Sequence, residues 1–347
     1  MSATVSVVIP NHNRFSQLRC CLASILAQSY PVSEIIVVDD CSDLDKFLLV
    51  EALVGEFEDK GPNITLVRNE ANRGANYSRN RGVQLARGEY IAFIDSDDAW
   101  LPGKLSRQLE AIDWRKGERR PWVLGTTGRY RVNENGEILC IQCSQQVLTP
   151  QSIRNSNFIG TLSSVLVHRE ALLAVGGFDE KLGAGQDWDL FIRLCGQVDH
   201  VIVPEPLLIY VDHQEQRITL NSSKRLRAHM RIYAQHIRPF GLVNLNLHEY
   251  FRTLAEDCQN TGNRRRAEHF YARSLDNAAP LRWVRGKLYY PIRCWLCCTG
   301  LNEIRARRYK RYQARFQRQA RQLGEENIKA AKDEIKTILG ASLADIT

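Results

Sequence analysis

The chain is predicted to fold as an α/β protein: a Rossmann-like, doubly wound and mostly parallel sheet followed by an α-helical C-terminal region. Two observations carry the prediction. Four short apolar runs, "VSVVI" (5–9), "EIIVV" (34–38), "ITLV" (64–67) and "YIAFI" (90–94), alternate with helix-patterned stretches through the first hundred residues, which is the rhythm of β-α-β units. From about residue 222 onward the chain reads as helical.

Right-handed crossovers make the first four strands parallel. Between the first two, Leu18, Leu22 and Ile25 follow helical spacing up to Gln28-Ser29, and Tyr30-Pro31 stops the helix. Between the third and fourth, "NYSRNRGVQLARG" reads as a short helix closed by Gly88. After about residue 120 the alternation is lost. An Asn135-Gly136 turn joins two extended runs, and "GGFDEKLGAGQDWDLFIRLC" is a Gly-rich loop feeding a helix that begins near Asp187. Residues 1–217 are read as one domain and 218–347 as a helical region. The latter contains a tetratricopeptide-like hairpin at about 247–280, marked by Leu254, Ala255, Cys258, Ala267, Tyr271 and Ser274, and a basic aromatic tail at 281–322. A lone hairpin cannot bury its own face, so it is expected to pack on the first domain or on a protein partner.

A chain of 347 residues with 44% hydrophobic content can bury a sizeable core. The net charge of +8 is concentrated: residues 281–322 carry twelve basic residues against Glu303 alone, which leaves the rest of the chain net negative. Trp283, Tyr289, Tyr290, Trp295, Tyr309, Tyr312 and Phe316 are interleaved with those cations. This mixture suits an anionic membrane surface or nucleic acid, and a solvated helix would also accommodate it. The membrane surface is preferred and no nucleic acid is expected. The start of the chain reads as a strand rather than a leader, and no run of 18 uncharged apolar residues occurs. Ten cysteines, two pairs of them adjacent, read as reduced thiols. "CIQC" and "CWLC" could together offer four zinc thiolates, but each pair reads as core or interface. The expected location is cytoplasmic, with peripheral attachment to the inner face of a membrane.

Parallel strands joined in this way share one edge at their carboxyl ends, where open α/β sheets bind ligands. The residues just past the four runs are Pro10 to Asn13, Asp39-Asp40, Arg68-Asn69 and Asp95-Ser96-Asp97-Asp98. Acids crowded at a strand end repel by about 1 kcal/mol at 4 Å in water and roughly 4 kcal/mol when partly buried. Mg²⁺ or Mn²⁺ with substrate phosphates would relieve that, and so would exposure as a solvated acidic turn capping a helix that starts at Pro102. No G-x-x-x-x-G-K-[ST] and no G-x-G-x-x-G after the first strand is present, which disfavours P-loop enzymes and dinucleotide dehydrogenases.

"VSVVIPNHNR", "EIIVVDDCSD", "NRGANYSRNRGVQLARGEYIAFIDSDDAWLPGKL" and "GGFDEKLGAGQDWDLFIRL" stand in an order and spacing that resembles the family 2 glycosyltransferases, which have the glycosyltransferase A fold. The resemblance covers about residues 3–215. It implies that Asp40, with Asp39, meets the nucleobase of a nucleotide-sugar donor, and that Pro10, Asn11 and Asn13 line the same pocket. Asp95 and Ser96 would lie near the ribose and Asp97 on the metal, Mn²⁺ or Mg²⁺, while Arg79 reads either as a diphosphate contact or as a pairing residue on a helix face. Asp187 would be the base that takes the acceptor's proton in an inverting transfer to a glycan or lipid-linked acceptor; on its own it reads as a helix N-cap. Gly177, Phe178 and Trp188 would lie on the acceptor side. Two departures stand out: Gln186 occupies the place where the family often has Glu, and Val211-Asp212-His213 replaces Arg-x-His, which leaves His213 read either as a metal or diphosphate contact, with Arg217 near the phosphates, or as a loop histidine bonded to backbone. A metal-dependent nucleotidyltransferase would show a Gly- and Arg-rich loop where "PNHNRFSQ" stands. A non-catalytic nucleotide-sugar-binding scaffold would be expected to have lost Asp40, Asp97 or Asp187.

Overall fold

The computed structural model describes residues 3–57, 61–115, 120–212, 222–240, 247–276 and 325–340. The first half has the expected alternation: β1 (Val5–Asn11), α1 (Phe15–Leu26), β2 (Glu34–Asp39), α2 (Leu44–Phe57), β3 (Asn63–Arg68), α3 (Ala75–Leu85) and β4 (Tyr90–Phe93). β1 pairs in parallel with β2 and β4, and β2 with β3. The spatial order 3-2-1-4 brings the ends of all four strands to one rim. Every residue of β1 is buried, as a strand covered on both faces requires. Alternate residues go to opposite sides: Val8, Ile36, Val38 and Phe93 face one core, and Val7, Ile9, Ile35 and Val37 face the other.

Two helix boundaries differ from the sequence expectation. α1 ends at Leu26 because the Gln28 side chain is committed elsewhere, donating to the Leu101 carbonyl (2.8 Å) and accepting from the Leu105 amide (3.1 Å). α3 ends at Leu85, and Gly88 is not its cap. Gly88 lies so close to β1 that a Cβ there would stand 2.7 Å from the Ser6 backbone nitrogen.

The second half completes a mixed, nine-stranded sheet. Its elements are β5 (Ala99–Trp100), α4 (Lys104–Arg115), β6 (Trp122–Asn133), β7 (Ile138–Gln142), α5 (Pro150–Asn155), β8 (Val165–His168), α6 (Arg169–Ala174), α7 (Gln186–Leu194) and β9 (Val198–Asp212). β8 runs antiparallel to both β4 and β6, while β6 and β9 are parallel along almost their whole length. The expected Asn135-Gly136 turn joins β6 to β7, with Gly136 at φ +75°.

The described C-terminal part is helical: α8 (Ser222–Ile232) continuing into a π-helical turn, α9 (His248–Asn260), α10 (Arg264–Asp276) and α11 (Glu325–Gly340). α9 and α10 form the expected hairpin. Its Tyr250, Phe251, Leu254, Ala267 and Phe270 are buried in one core with Trp188 and Phe191 of α7, so the hairpin packs on the sheet-bearing part of the same chain. α11 lays Ala331 and Ile335 against Val132, Ile138 and Ile209. The basic aromatic tail and "CWLC" lie outside the described residues.

Lys104 is fully buried beneath the rim, its Nζ donating to Gln108 Oε1 (2.8 Å) and lying 4.2 Å from the centre of the Trp100 ring. Burial pushes its pKa well below the usual lysine value of 10.5. Between that lowered value and 10.5 the unfolded chain binds the extra proton, so this lysine contributes stability that grows as pH rises through the window. Lys104→Met should therefore raise the melting temperature at pH 7, with the gain shrinking as pH approaches 10.5; parallel pH curves for the two proteins in calorimetry would contradict the assignment.

Candidate active site

The turn after β4 gathers three acids. Ligand oxygens of Asp95, Asp97 and Asp98 all lie within 4.8 Å of one another. A backbone hydrogen bond from the Asp98 amide to the Asp95 carbonyl (3.0 Å) closes the turn, and the Asp95 amide donates to Ser163 Oγ (3.0 Å). Ser96 is buried within it. Two cations reach the cluster from separate elements: Arg14, just past β1, pairs with Asp97 (2.9 Å), and Arg79 of α3 pairs with Asp95 (2.6 Å). Asp98 does not cap a helix at Pro102. It is buried, accepts from the Val211 amide (3.3 Å), and its Oδ2 has no hydrogen-bond partner. α4 begins at Lys104 instead. Burial, then the charges of Asp97 and Asp95, push the Asp98 carboxyl well above its usual range. Three convergent oxygen donors with one orphaned buried oxygen fit a hard divalent cation such as Mg²⁺ or Mn²⁺.

The neighbouring loop is held by Asp39 and Asp40. Asp39, fully buried, accepts from the Ser42 amide (2.9 Å), the Ser42 hydroxyl (2.5 Å) and Asn11 Nδ2 (3.2 Å). Asp40 accepts from the Arg73 and Gly74 amides (3.0 and 2.7 Å) and from Asn69 Nδ2 (2.8 Å). Asn13 takes a left-handed backbone, φ +56°, while its amide donates to Ser42 Oγ and its Oδ1 accepts from the Asp43 amide. Pro10 and Asn11 end β1 beside Asp39, and Asn11 Oδ1 is buried without a hydrogen-bond partner. Pro10, Asn11, Asn13, Asp39 and Asp40 thus come together at the rim as the sequence predicts.

Arg79, paired with Asp95, also acts on Asp187 through its charge. Its guanidinium is buried, and Nε and Nη1 have no hydrogen-bond partner. Asp187 stands in the first turn of α7 and accepts from Asn157 Nδ2 (2.8 Å) and from the Trp188 amide (2.8 Å). Burial raises its pKa, while those hydrogen bonds and the charge of Arg79 oppose the rise. It is not the N-cap, since Gly185 holds that position with φ +65°.

Phe178 and Trp188, expected on the acceptor side, are turned into the core. Phe178 meets Phe93 edge-on with ring centres 5.4 Å apart, and Trp188 donates its indole N–H to the Ile153 carbonyl (2.6 Å) and packs on His229 and Tyr250. Gly177, at φ +66°, does stand in a loop beside α3, where Asn80 exchanges hydrogen bonds with the backbone of Phe178 (2.8 and 3.0 Å). His213 and Arg217 lie outside the described residues. Arg14, Asn157 and Ser163 carry no signal in the sequence. Their partners are 83, 30 and 68 residues away, and no local pattern marks them.

The fold and the site together define a glycosyltransferase with the glycosyltransferase A fold. Residues 6–172 match the family described as Glycosyl transferase family 2. The chain is 33% identical over 212 residues to the amylovoran biosynthesis glycosyltransferase AmsB of Erwinia amylovora, covering 59% of this chain and 68% of that one. It therefore belongs to family 2 of the glycosyltransferases. It is also 31% identical to the UDP-Glc:alpha-D-GlcNAc-diphosphoundecaprenol beta-1,3-glucosyltransferase WfgD of Escherichia coli, over 47% of this chain and 59% of that one. In fold it is similar to S. aureus TarS 1-349 in complex with UDP-GlcNAc, with a TM-score of 0.55, 16% identity, and coverage of 99% of this chain and 92% of that one. The mannosyltransferase PcManGT from Pyrobaculum calidifontis in complex with GDP-Man and Mn²⁺ gives a TM-score of 0.52 at 17% identity, over 99% of this chain and 88% of that one.

If the Asp95–Asp98 cluster holds a cation, Asp98→Asn should raise the melting temperature of metal-free protein at neutral pH, because it removes a carboxylate whose raised pKa costs stability as pH climbs above the usual carboxylate value. The same variant should lose the stabilisation that added Mn²⁺ gives the parent. Unchanged stabilisation by Mn²⁺ would remove Asp98 from the cation site.

Proposed function

We propose that the chain is an inverting, metal-assisted glycosyltransferase that moves a sugar from a nucleotide-diphosphate sugar of the UDP type to a hydroxyl of a glycan or lipid-linked acceptor. One observation carries this reading: buried Arg79 pairs with Asp95 of a three-carboxylate cluster suited to a cation, and its charge also acts on Asp187, a half-buried carboxylate of raised pKa. Paired environments of this kind separate the group that stabilises charge from the group that moves a proton. The UDP preference is supported by the UDP-Glc named for WfgD and the UDP-GlcNAc bound to TarS, and the lipid-linked acceptor by the diphosphoundecaprenol named for WfgD.

Asp40 and the Pro10–Asn13 segment, backed by Asp39, would receive the nucleoside, and Asp95 and Ser96 would lie at the ribose. Asp97 with Asp98 would hold Mn²⁺ or Mg²⁺, with His213 the further ligand that the family resemblance suggests. When bound, the ion supplies positive charge against the diphosphate. Arg79 adds its guanidinium to the same charge. Asp187 takes the proton of the acceptor hydroxyl as that oxygen bonds to the anomeric carbon and the bond to the nucleotide diphosphate breaks. Asn157 holds one carboxylate oxygen through a single N–H, which leaves lone pairs for the proton. The loop at Gly177 stands on the acceptor side.

Family membership leaves no support for the nucleotidyltransferase reading, whereas a non-catalytic scaffold is separated by assay. Hydrolysis and transfer should be measured with a panel of UDP-, GDP- and dTDP-sugars and Mn²⁺. Asp187→Asn should reduce turnover by about 10²–10⁴-fold. In the parent, activity should fall on the acid side at a pH above the usual carboxylate value. Asn157→Ala removes a hydrogen bond that favours ionised Asp187, so it should move that acid limb to higher pH; an unmoved limb would contradict Asp187 as the base.

The location is proposed as the cytoplasmic side of a membrane, with the 281–322 tail as its contact. No helix among the described residues is long and apolar enough to cross a membrane. Flotation with anionic liposomes should depend on the tail and weaken at high salt, and flotation indifferent to both would rule that contact out.

A further inference from the structure

A cavity of about 280 Å³ opens between the β6–β7 hairpin and the turn at residues 157–159. At ~30 Å³ per water it has room for roughly nine waters, the scale of one monosaccharide rather than a chain. Asn157, which lines it, also donates to Asp187, so the cavity adjoins the carboxylate proposed as the base.

The wall carries one charged group. Arg129 donates through Nε to Gln142 Oε1 (2.8 Å) and through Nη1 to the Ile159 carbonyl (2.6 Å), both neutral acceptors. Among the described residues no carboxylate forms an ion pair with it, although the charge of Asp98 acts on it from a distance. His200, also in the wall, is neutral: Nδ1 accepts from the Leu148 amide (3.0 Å), so Nε2 carries the proton toward Thr126 Oγ1 (2.9 Å), and burial lowers its pKa to about 4. Thr127 lines the same wall, is 9% exposed, and its Oγ1 has no hydrogen-bond partner.

The backbone is built to present this arginine. The β6–β9 register shifts on both sides of Gly128, a bulge that re-aims the strand at that point. No larger residue fits there, since a Cβ on Gly128 would stand 2.4 Å from Cys143 Sγ. Gly160, at φ +82°, lies against the guanidinium, since a Cβ there would stand 2.5 Å from Arg129 Nη2. Half-buried, planar, and without an ion-paired carboxylate, a guanidinium matches the two oxygens of one carboxylate.

We propose that this cavity is an acceptor-side subsite for a carboxylate-bearing sugar, a uronic acid class of residue, with Arg129 receiving the carboxylate. The assignment to the acceptor rests on Asp187 as the base; the binding preference does not.

Ligand-observed NMR titration of the full chain with D-glucuronate, D-glucuronamide, D-glucose and inorganic phosphate tests the preference directly. Glucuronate should bind at least about tenfold more tightly than the amide or glucose, a difference of about 1.4 kcal/mol, and more tightly than phosphate. Arg129→Gln should lose about tenfold for glucuronate alone. Equal binding of glucuronate and its amide in the parent would overturn the proposal without any variant having to fold, as would tighter binding of phosphate or unchanged binding by Arg129→Gln. Donor hydrolysis by the parent, scored separately, reports on the glycosyltransfer reading, so the two can fail independently.

Discussion

Three carboxylates stand within 4.8 Å of one another where β4 ends, and the surrounding chain is arranged to hold that charge in place. At such spacing each pair repels by about 1 kcal/mol in water and by roughly four times that at a partly buried site. Arg14 comes from the β1 loop and Arg79 from α3, so the cluster draws on two separate crossovers. α3 also anchors the loop that leads to α7, because Asn76 and Asn80 hold the backbone at Phe178, Asp179 and Leu182. One helix therefore positions both the cation beside Asp95 and the approach to Asp187. The distance from the acid cluster to Asp187 is thereby tied to a rigid element rather than left to two loops.

The first half of the fold was legible because its signals are local. Runs such as "VSVVI" and "EIIVV" are apolar on both faces, as a covered parallel strand demands, and short helical stretches separate them. The rim followed from topology: once the strands are parallel, Asn11, Asp39 and Arg68 must stand side by side. The second half was harder to read. β8 enters between β4 and β6 out of chain order, and nothing in "SVLVH" states its neighbours.

Site residues divide along the same line. Asp95, Asp97 and Asp187 are visible as acids at element ends. The burial of Asp98 depends on the Val211 amide of β9, more than a hundred residues away, so a solvated turn looked equally good from the sequence. The family resemblance puts Phe178 and Trp188 on the acceptor side, yet the core beneath α7 claims both. Arg14 and Asn157 are ordinary polar residues until closure of the fold brings an acid to each.

The helix that carries Asp187 shows why the C-terminal hairpin packs where it does. α7 has only nine residues, too few to be stable by itself. Its position is set from outside: Asp189 bonds to His236, while Trp188 packs against His229 of α8 and Tyr250 of α9. His236, His229 and Tyr250 all belong to the C-terminal helices, so the residues flanking Asp187 are gripped by that region on two sides. A displacement of about 1 Å in a reacting group can cost 10²-fold in rate. A hairpin that fills the core beside α7 therefore fixes the position of Asp187, and this gives its apolar face a reason to be spent on the same chain.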